Sequence, residues 1–140
     1  MGPRLQVAFD AGDPHAQARF WAAALAYEVE DHSGIASELL GAGRLADADV
    51  AYVDGCLAFR DVAACSDADG VRPRLFFQRV PEPKTTKNRW HLDLNVGRDR
   101  IDDEVRRLSE LGAVELYRVD EPGAFHTTMA DPEGNEFCVQ

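Results

Sequence analysis

Lysine is almost missing from this chain. It occurs only at Lys84 and Lys87, in one short stretch, and nearly all the other basic side chains are arginine. Positive charge is short overall, because the formal net charge is −10. A chain this acidic repels phosphate backbones and anionic lipid, which excludes nucleic acid and membrane surfaces as expected partners. Cysteine is sparse and odd in number. Cys56, Cys65 and Cys138 show no CxxC spacing, so free thiols in a reducing, cytoplasmic setting are expected rather than a disulfide framework. No apolar run approaches the ~20 residues of a membrane span. The first residues, MGPRLQVAFDAGD, lack the apolar stretch of a secretion signal, so none is expected.

What remains is an ordinary globular composition. The 140 residues are 45% apolar and 29% charged, which suits one compact domain with its own hydrophobic core. Such a core needs no structural metal.

The chain repeats itself. Residues 5–11, LQVAFDA, alternate with period two, Val7, Phe9 and Ala11 on one face and Gln6, Ala8 and Asp10 on the other. Asp13-Pro14 then reads as a helix cap with proline at the first helical position. The following stretch, over 14–25, carries a Phe20/Trp21/Ala24/Leu25 stripe and is expected to be an amphipathic helix. Residues 27–31 read as a strand. The pattern returns at 90–96, WHLDLNV, with Leu92, Leu94 and Val96 opposed to His91, Asp93 and Asn95. Asp99 is a candidate cap for a helix over 100–111, striped by Ile101, Val105, Leu108 and Leu111. Acids in its first turn and arginines nearer its end suit the helix dipole, and Gly112 is a stop. Strands are expected at 113–119, 124–130 and 135–140.

The second copy thus reads β-α-β-β-β. The first finishes less cleanly, with an irregular excursion over 33–50 and strands at 56–63 and 74–80. Residues 81–88, PEPKTTKN, form a polar, proline-bounded linker. Module one spans about 4–80 and module two about 89–140. In each, the apolar strand face packs on its own helix. If the two sheets curl toward each other, the opposite faces line a polar cavity.

Two such repeats resemble the vicinal oxygen chelate, or glyoxalase-like, superfamily. DPEGNEFCV (131–139) resembles its C-terminal turn and last strand, RLFFQRVPEPKTTKNRWHLDLNV (74–96) its inter-module segment, and DPHAQARFWAAALAYEVE (13–30) its first helix. Residues 33–55 lie outside the match. The resemblance implies an α+β fold, two βαβββ modules pairing into a curved mixed-sheet cup. It also implies a divalent metal held by the first and last strands of each module. Gln6 and His91 match two ligand positions, Gln78 lies near a third, and Cys138 falls where a glutamate is usual, with Glu136 two residues away. One imidazole, two neutral amides and a thiol make a poor set for a hard cation, so weak metal binding or none is expected.

For each candidate a second, plainer role stands beside the functional one. His91 is a general acid/base, a ligand, or a hydrogen-bonded strand residue. Asp93, on its face, can hold the imidazole as a base. Asp10 contacts substrate or pairs with Arg89 or Lys87. Cys138 is a nucleophile or a small apolar filler. His126 shares a face with Thr128, and Phe76, Phe77, Trp90 and Phe125 are pocket walls or core. The KTTKN loop binds an anion or clasps the modules. The expected function is small-molecule binding, with lyase or isomerase chemistry on a small polar carbonyl compound. His91 then acts, and Gln6, Asp10, Gln78, Asp93, Cys138 and Glu136 contact substrate. A non-catalytic, drug-sequestering protein of the bleomycin-resistance type is the alternative. An extradiol-type dioxygenase fits least, since it needs two histidines and a carboxylate. A homodimer is a further expectation.

Overall fold

The computed structural model of the chain describes residues 2–140. The chain divides into two compact units, residues 1–82 and 83–140, and each contains one β-α-β-β-β order. The class is α+β, with two four-stranded mixed sheets. Among the described residues, no helix is long and apolar enough to cross a membrane.

In the first unit, β1 (Gln6–Ala11) leads into α1 (Pro14–Leu25) and β2 (Glu28–Val29). An excursion follows, made of α2 (Ser33–Gly41) and a hairpin of β3 (Val50–Val53) with β4 (Cys56–Phe59). Then β5 (Val62–Ser66) and β6 (Arg74–Arg79) complete the sheet in the order β1-β6-β5-β2. Helix α1 starts where the sequence sets it: the Asp13 carboxylate accepts the Ala16 N–H at 3.0 Å, and Pro14 follows at a position that needs no donor. Its inner stripe packs on β5 and β6. Trp21, Phe20 and Phe77 are buried there, with Phe9 stacked on Phe77 at 5.0 Å and tilted against Trp21 at 5.6 Å. Burying rings of this size dominates the stability of a small unit.

The second unit repeats the plan with β7 (Leu92–Leu94), α3 (Ile101–Glu110), β8 (Val114–Glu121), β9 (Ala124–Ala130) and β10 (Glu136–Val139). The strand order, β7-β10-β9-β8, is the same as in the first. Ile101, Val105 and Leu108 of α3 are buried, as are Leu94, Met129, Phe137 and Val139. A turn built on Asp131 launches β10. Its buried carboxylate accepts the backbone N–H groups of Glu133 and Asn135, both at 2.9 Å, and Gly134 supplies the positive φ of 86° that the turn requires.

Several expectations are corrected. The strand expected over 56–63 is two strands in different sheets, because Arg60 turns away to donate to the carbonyls of Ala48 and Val50. The excursion over 33–50 is ordered, with α2 at its start and β3 beginning at its end. The strand over 27–31 shrinks to Glu28–Val29 because Ala26 adopts a left-handed φ of 54° before it and Glu30 swings its carboxylate to Arg74 after it. Asp99 does not cap α3. It lies in a short 3₁₀ turn over Arg98–Arg100, and α3 begins without a side-chain cap. Val7 and Leu92 share the core face but are only half-buried.

Candidate functional site

The parallel pairing of β7 with β10, and the antiparallel ladder from β10 through β9 to β8, sets one row of side chains across the second sheet. Asp93 lies opposite Cys138, Cys138 opposite Thr128, and Thr128 opposite Tyr117. Directly opposed residues share a face. This face is the one turned from α3, since Phe137, Val139 and Leu94 occupy the other.

His91 precedes β7 and bonds its Nδ1 to the Asp93 carboxylate at 2.8 Å. Both side chains are close to half exposed, at 46% and 42%, so the pair is reachable from solvent. Cys138 is buried. Burial pushes its thiol above the usual cysteine range, the neighbouring Asp93 and Glu136 carboxylates push the same way, and a contact of 3.5 Å with the Thr128 hydroxyl opposes them. The thiol is therefore held protonated at neutral pH, which disfavours it as a free nucleophile. Glu136 pairs with Lys87, and that carboxylate raises the lysine's affinity for its proton. Lys87 is anchored from its neighbour: Asn88 donates to the Asn135 side chain at 3.1 Å, and Asn135 donates in turn to Asp131. Lys84 donates to the Thr86 carbonyl. The KTTKN loop thus ties itself to the β10 turn of its own unit.

In the first unit, the face turned from α1 carries two hydrogen-bonded pairs flanking Phe76. Gln78 donates to Asp10 at 2.8 Å, so the partner of Asp10 is Gln78 and not Arg89 or Lys87. Arg74 donates to the Gln6 side-chain oxygen at 2.8 Å and lies over the Phe76 ring at 5.5 Å. The same guanidinium grips Glu30 with two bonds of 2.7 Å, and His32 adds a third contact to that carboxylate at 2.9 Å. The Arg74 bonds, helped by His32 and opposed by burial, lower Glu30 to about 2. Beside this network a groove of about 960 Å³ is lined by Arg4, Gln6, Glu30, Asp67, Arg72 and Arg74.

Sequence reasoning named Gln6, Asp10, Gln78, His91, Asp93, Glu136 and Cys138. The fold brings His91, Asp93 and Cys138 together in one unit, and pairs Gln78 with Asp10 in the other. It missed Tyr117, because an irregular step in the ladder at Leu116 breaks the alternation that would have placed the phenol on this face. It also missed Arg74 and Glu30, whose pairing joins residues 44 apart in sequence. Of the four aromatics, Phe77 is core, Phe76 and Phe125 are half-buried, and Trp90 is 54% exposed.

Does the donor set fit a divalent metal? Among the described residues, one group of three qualifies: the ligand atoms of His91, Asp93 and Cys138 lie within 4.8 Å of one another. The sequence-based count of good ligands stopped at His91 and Cys138. Asp93 adds the carboxylate that count lacked. Imidazole, carboxylate and thiolate together suit a borderline ion such as Zn²⁺, with a fourth position open. Gln6 is differently placed, since its ligand-capable oxygen is already bonded to a guanidinium.

A profile of the glyoxalase-like domain matches residues 6–140. No curated protein sequence matches the chain. Among solved structures, the chain is similar to the fosfomycin resistance protein FosX of Mesorhizobium loti at 11% identity and a TM-score of 0.66, covering 100% of this chain and 91% of that one. FosX of Listeria monocytogenes, solved with Mn(II) and a dihydroxypropylphosphonic acid, is similar at 10% identity and a TM-score of 0.63, over 100% and 90%. A glyoxalase/bleomycin resistance protein/dioxygenase family enzyme of Burkholderia phytofirmans PsJN is similar at 12% identity and 0.62, over 96% and 94%. At such identities the likeness is one of fold.

Proposed function

We propose, from the premise that this chain belongs to the glyoxalase-like domain family of the vicinal oxygen chelate superfamily, that it binds a small polar carbonyl compound on the open face of its second sheet. There it moves a proton as a lyase or isomerase does. The observation that carries this reading is the His91–Asp93 bond of 2.8 Å beside Cys138 and Thr128. A carboxylate accepting the Nδ1 proton fixes the tautomer, leaves Nε2 with a free lone pair, and stabilises the imidazolium formed when that nitrogen takes a proton. A carbon next to a carbonyl group is the natural donor of such a proton. Returning it to the neighbouring carbon gives isomerisation, and losing a leaving group instead gives elimination. The exposed Tyr117 phenol, in the same row, is the donor on hand for the carbonyl oxygen. Fold neighbours named as resistance proteins support a small-molecule role in general terms.

A divalent ion, if this chain takes one, would be held by His91, Asp93 and Cys138 and would polarise the substrate oxygen. With His91 and Asp93 so engaged, Glu136 is the carboxylate left to carry a proton, once Lys87 releases it.

A second reading is sequestration without chemistry. The protonated thiol of Cys138 favours it, as does the first sheet's open face, where Phe76 lies between polar pairs that already satisfy each other. The test is a ligand screen by thermal shift on the parent protein, His91→Ala and Leu92→Ala. The proposal expects His91→Ala to abolish ligand stabilisation while leaving the unliganded melt nearly unchanged, and Leu92→Ala to do the reverse. If a ligand is found whose binding ignores both changes, the site lies elsewhere. If His91→Ala spares binding but the parent protein turns the ligand over and the variant does not, the enzyme reading stands over sequestration.

A further inference from the structure

Strand β8 is the outer edge of the second sheet, bonded on one side to β9. It is the longest strand, eight residues, and all but Val119 are exposed. Three of the exposed residues are large and apolar, Val114 at 58%, Leu116 at 45% and Tyr117 at 52%. A long edge carrying apolar groups is a template for pairing with another strand.

The sequence of this edge is complementary to itself. Laid antiparallel about the Leu116–Tyr117 step, VELYRV sets Glu115 of one copy against Arg118 of the other, twice. Val114 meets Val119. In a regular strand this register would fail, because residues an odd number apart point to opposite faces while opposed residues across a ladder must share one. The irregular step at Leu116 removes the conflict. Glu115 pairs with Met129 and Arg118 with Thr127, so both lie on the α3 face. Val114 pairs with Ala130 and Val119 with His126, so both lie on the open face with Tyr117. A bulge commonly blunts an edge. Here it brings acid opposite base and valine opposite valine. Arg118 is already paired with Asp102, but that pair is exposed, and a guanidinium has donors to spare for a second carboxylate.

We infer that β8 is the docking edge for a second copy of this chain, giving a two-fold dimer whose two sheets continue through paired β8 strands with reciprocal Glu115–Arg118 contacts. One strand pair and its side chains form a small interface, so the dimer is expected to be concentration-dependent, with dissociation on the order of micromolar.

The test is sedimentation velocity from micromolar to several hundred micromolar protein, on the parent chain, Glu115→Arg, Arg118→Glu and the double exchange. Each single change sets like charges opposite each other and is expected to weaken dimerisation about tenfold. The double exchange restores opposite charges and is expected to recover it to within about threefold. Amide exchange on the unaltered protein gives a second reading free of any folding defect: the amides of 114–119 should slow as concentration rises. A parent chain that stays monomeric, a dimer indifferent to the single changes, a double exchange weaker than either single, or exchange at 114–119 independent of concentration each overturns the inference.

Discussion

Asp93 and Cys138 lie directly opposite each other across the parallel pairing of β7 with β10, and Asp93 at the same time accepts the Nδ1 of His91. One carboxylate therefore stands between an imidazole and a thiol that its own burial keeps protonated. A change at Asp93 therefore touches both groups at once.

The first prediction follows from that position. Titrated with Co²⁺, the parent protein should show a near-ultraviolet thiolate-to-cobalt band. The band should vanish in Cys138→Ser. In Asp93→Asn it should need about 10–100-fold more metal, whether Asp93 binds the ion or orients the ligand that does. An unchanged band in Cys138→Ser would place the ion elsewhere. No band in the parent protein would remove metal from the proposal and leave His91 as the base.

Truncating the core of the second unit tests the module assignment. Leu94 is 9% exposed on the face packed by α3. Leu94→Ala should destabilise by about 2–5 kcal/mol in urea unfolding. Leu5→Ala, at a site 69% exposed, should change stability by less than about 0.5 kcal/mol. Equal effects would mean that the apolar alternation does not mark the core.

Acid should loosen the first unit through Glu30. Its carboxyl is lowered from 4.5 to about 2 by Arg74. Between those two values the unfolded chain binds the proton and the folded one does not, so stability rises with pH across that window. The contribution, on the order of 2–3 kcal/mol, is complete above about pH 5 and lost as pH falls toward 2. Glu30→Gln should flatten this part of the profile, read from urea midpoints between pH 2 and 5. A variant with the parent's slope would assign the acid sensitivity to other carboxylates.

The buried carboxylate of Asp131 should hold its turn together. Asp131→Ala leaves the amides of Glu133 and Asn135 without their acceptor, at a cost of about 2–4 kcal/mol. It should also free Asn135, and with it the Asn88 contact, so that Lys87 detaches from Glu136 and the KTTKN loop becomes open to proteolysis. A destabilised variant with a loop as resistant as the parent's would show that the clasp does not depend on the turn.

Local patterns carried most of the architecture. Asp13-Pro14 set the start of α1, and the repeated β-α-β-β-β plan gave β9 its full length over 124–130. What stayed illegible depends on distant partners. Arg60 breaks an apparently continuous strand only because carbonyls at Ala48 and Val50 await it. Asp99 has the chemistry of a cap, but the 3₁₀ turn over Arg98–Arg100 moves the helix start beyond it. At the site, His91 and Asp93 were legible as an i, i+2 pair. Tyr117 was not, since a single extra residue in β8 inverts the parity on which such reading rests.

In both sheets the first strand of a unit is an edge strand bonded only to that unit's last strand. This has a kinetic consequence. The second unit can form its helix and antiparallel hairpins from near neighbours in the chain. The first can form its helix and its β3–β4 and β5–β6 hairpins in the same way, while β2 waits for β5 across the excursion. In each unit the first strand must wait longest, for the last. The waiting loop spans 68 residues from Gln6 to Arg74 in the first unit, and 45 from Asn95 to Gln140 in the second. The difference is largely the excursion that holds α2 and the β3–β4 hairpin. By loop-closure entropy it adds only about 0.4 kcal/mol to the first unit's barrier. Docking of β1 and of β7 is therefore expected to be the late event in each unit, at nearly matched rates, and amides in these two strands should be the last to gain protection during refolding.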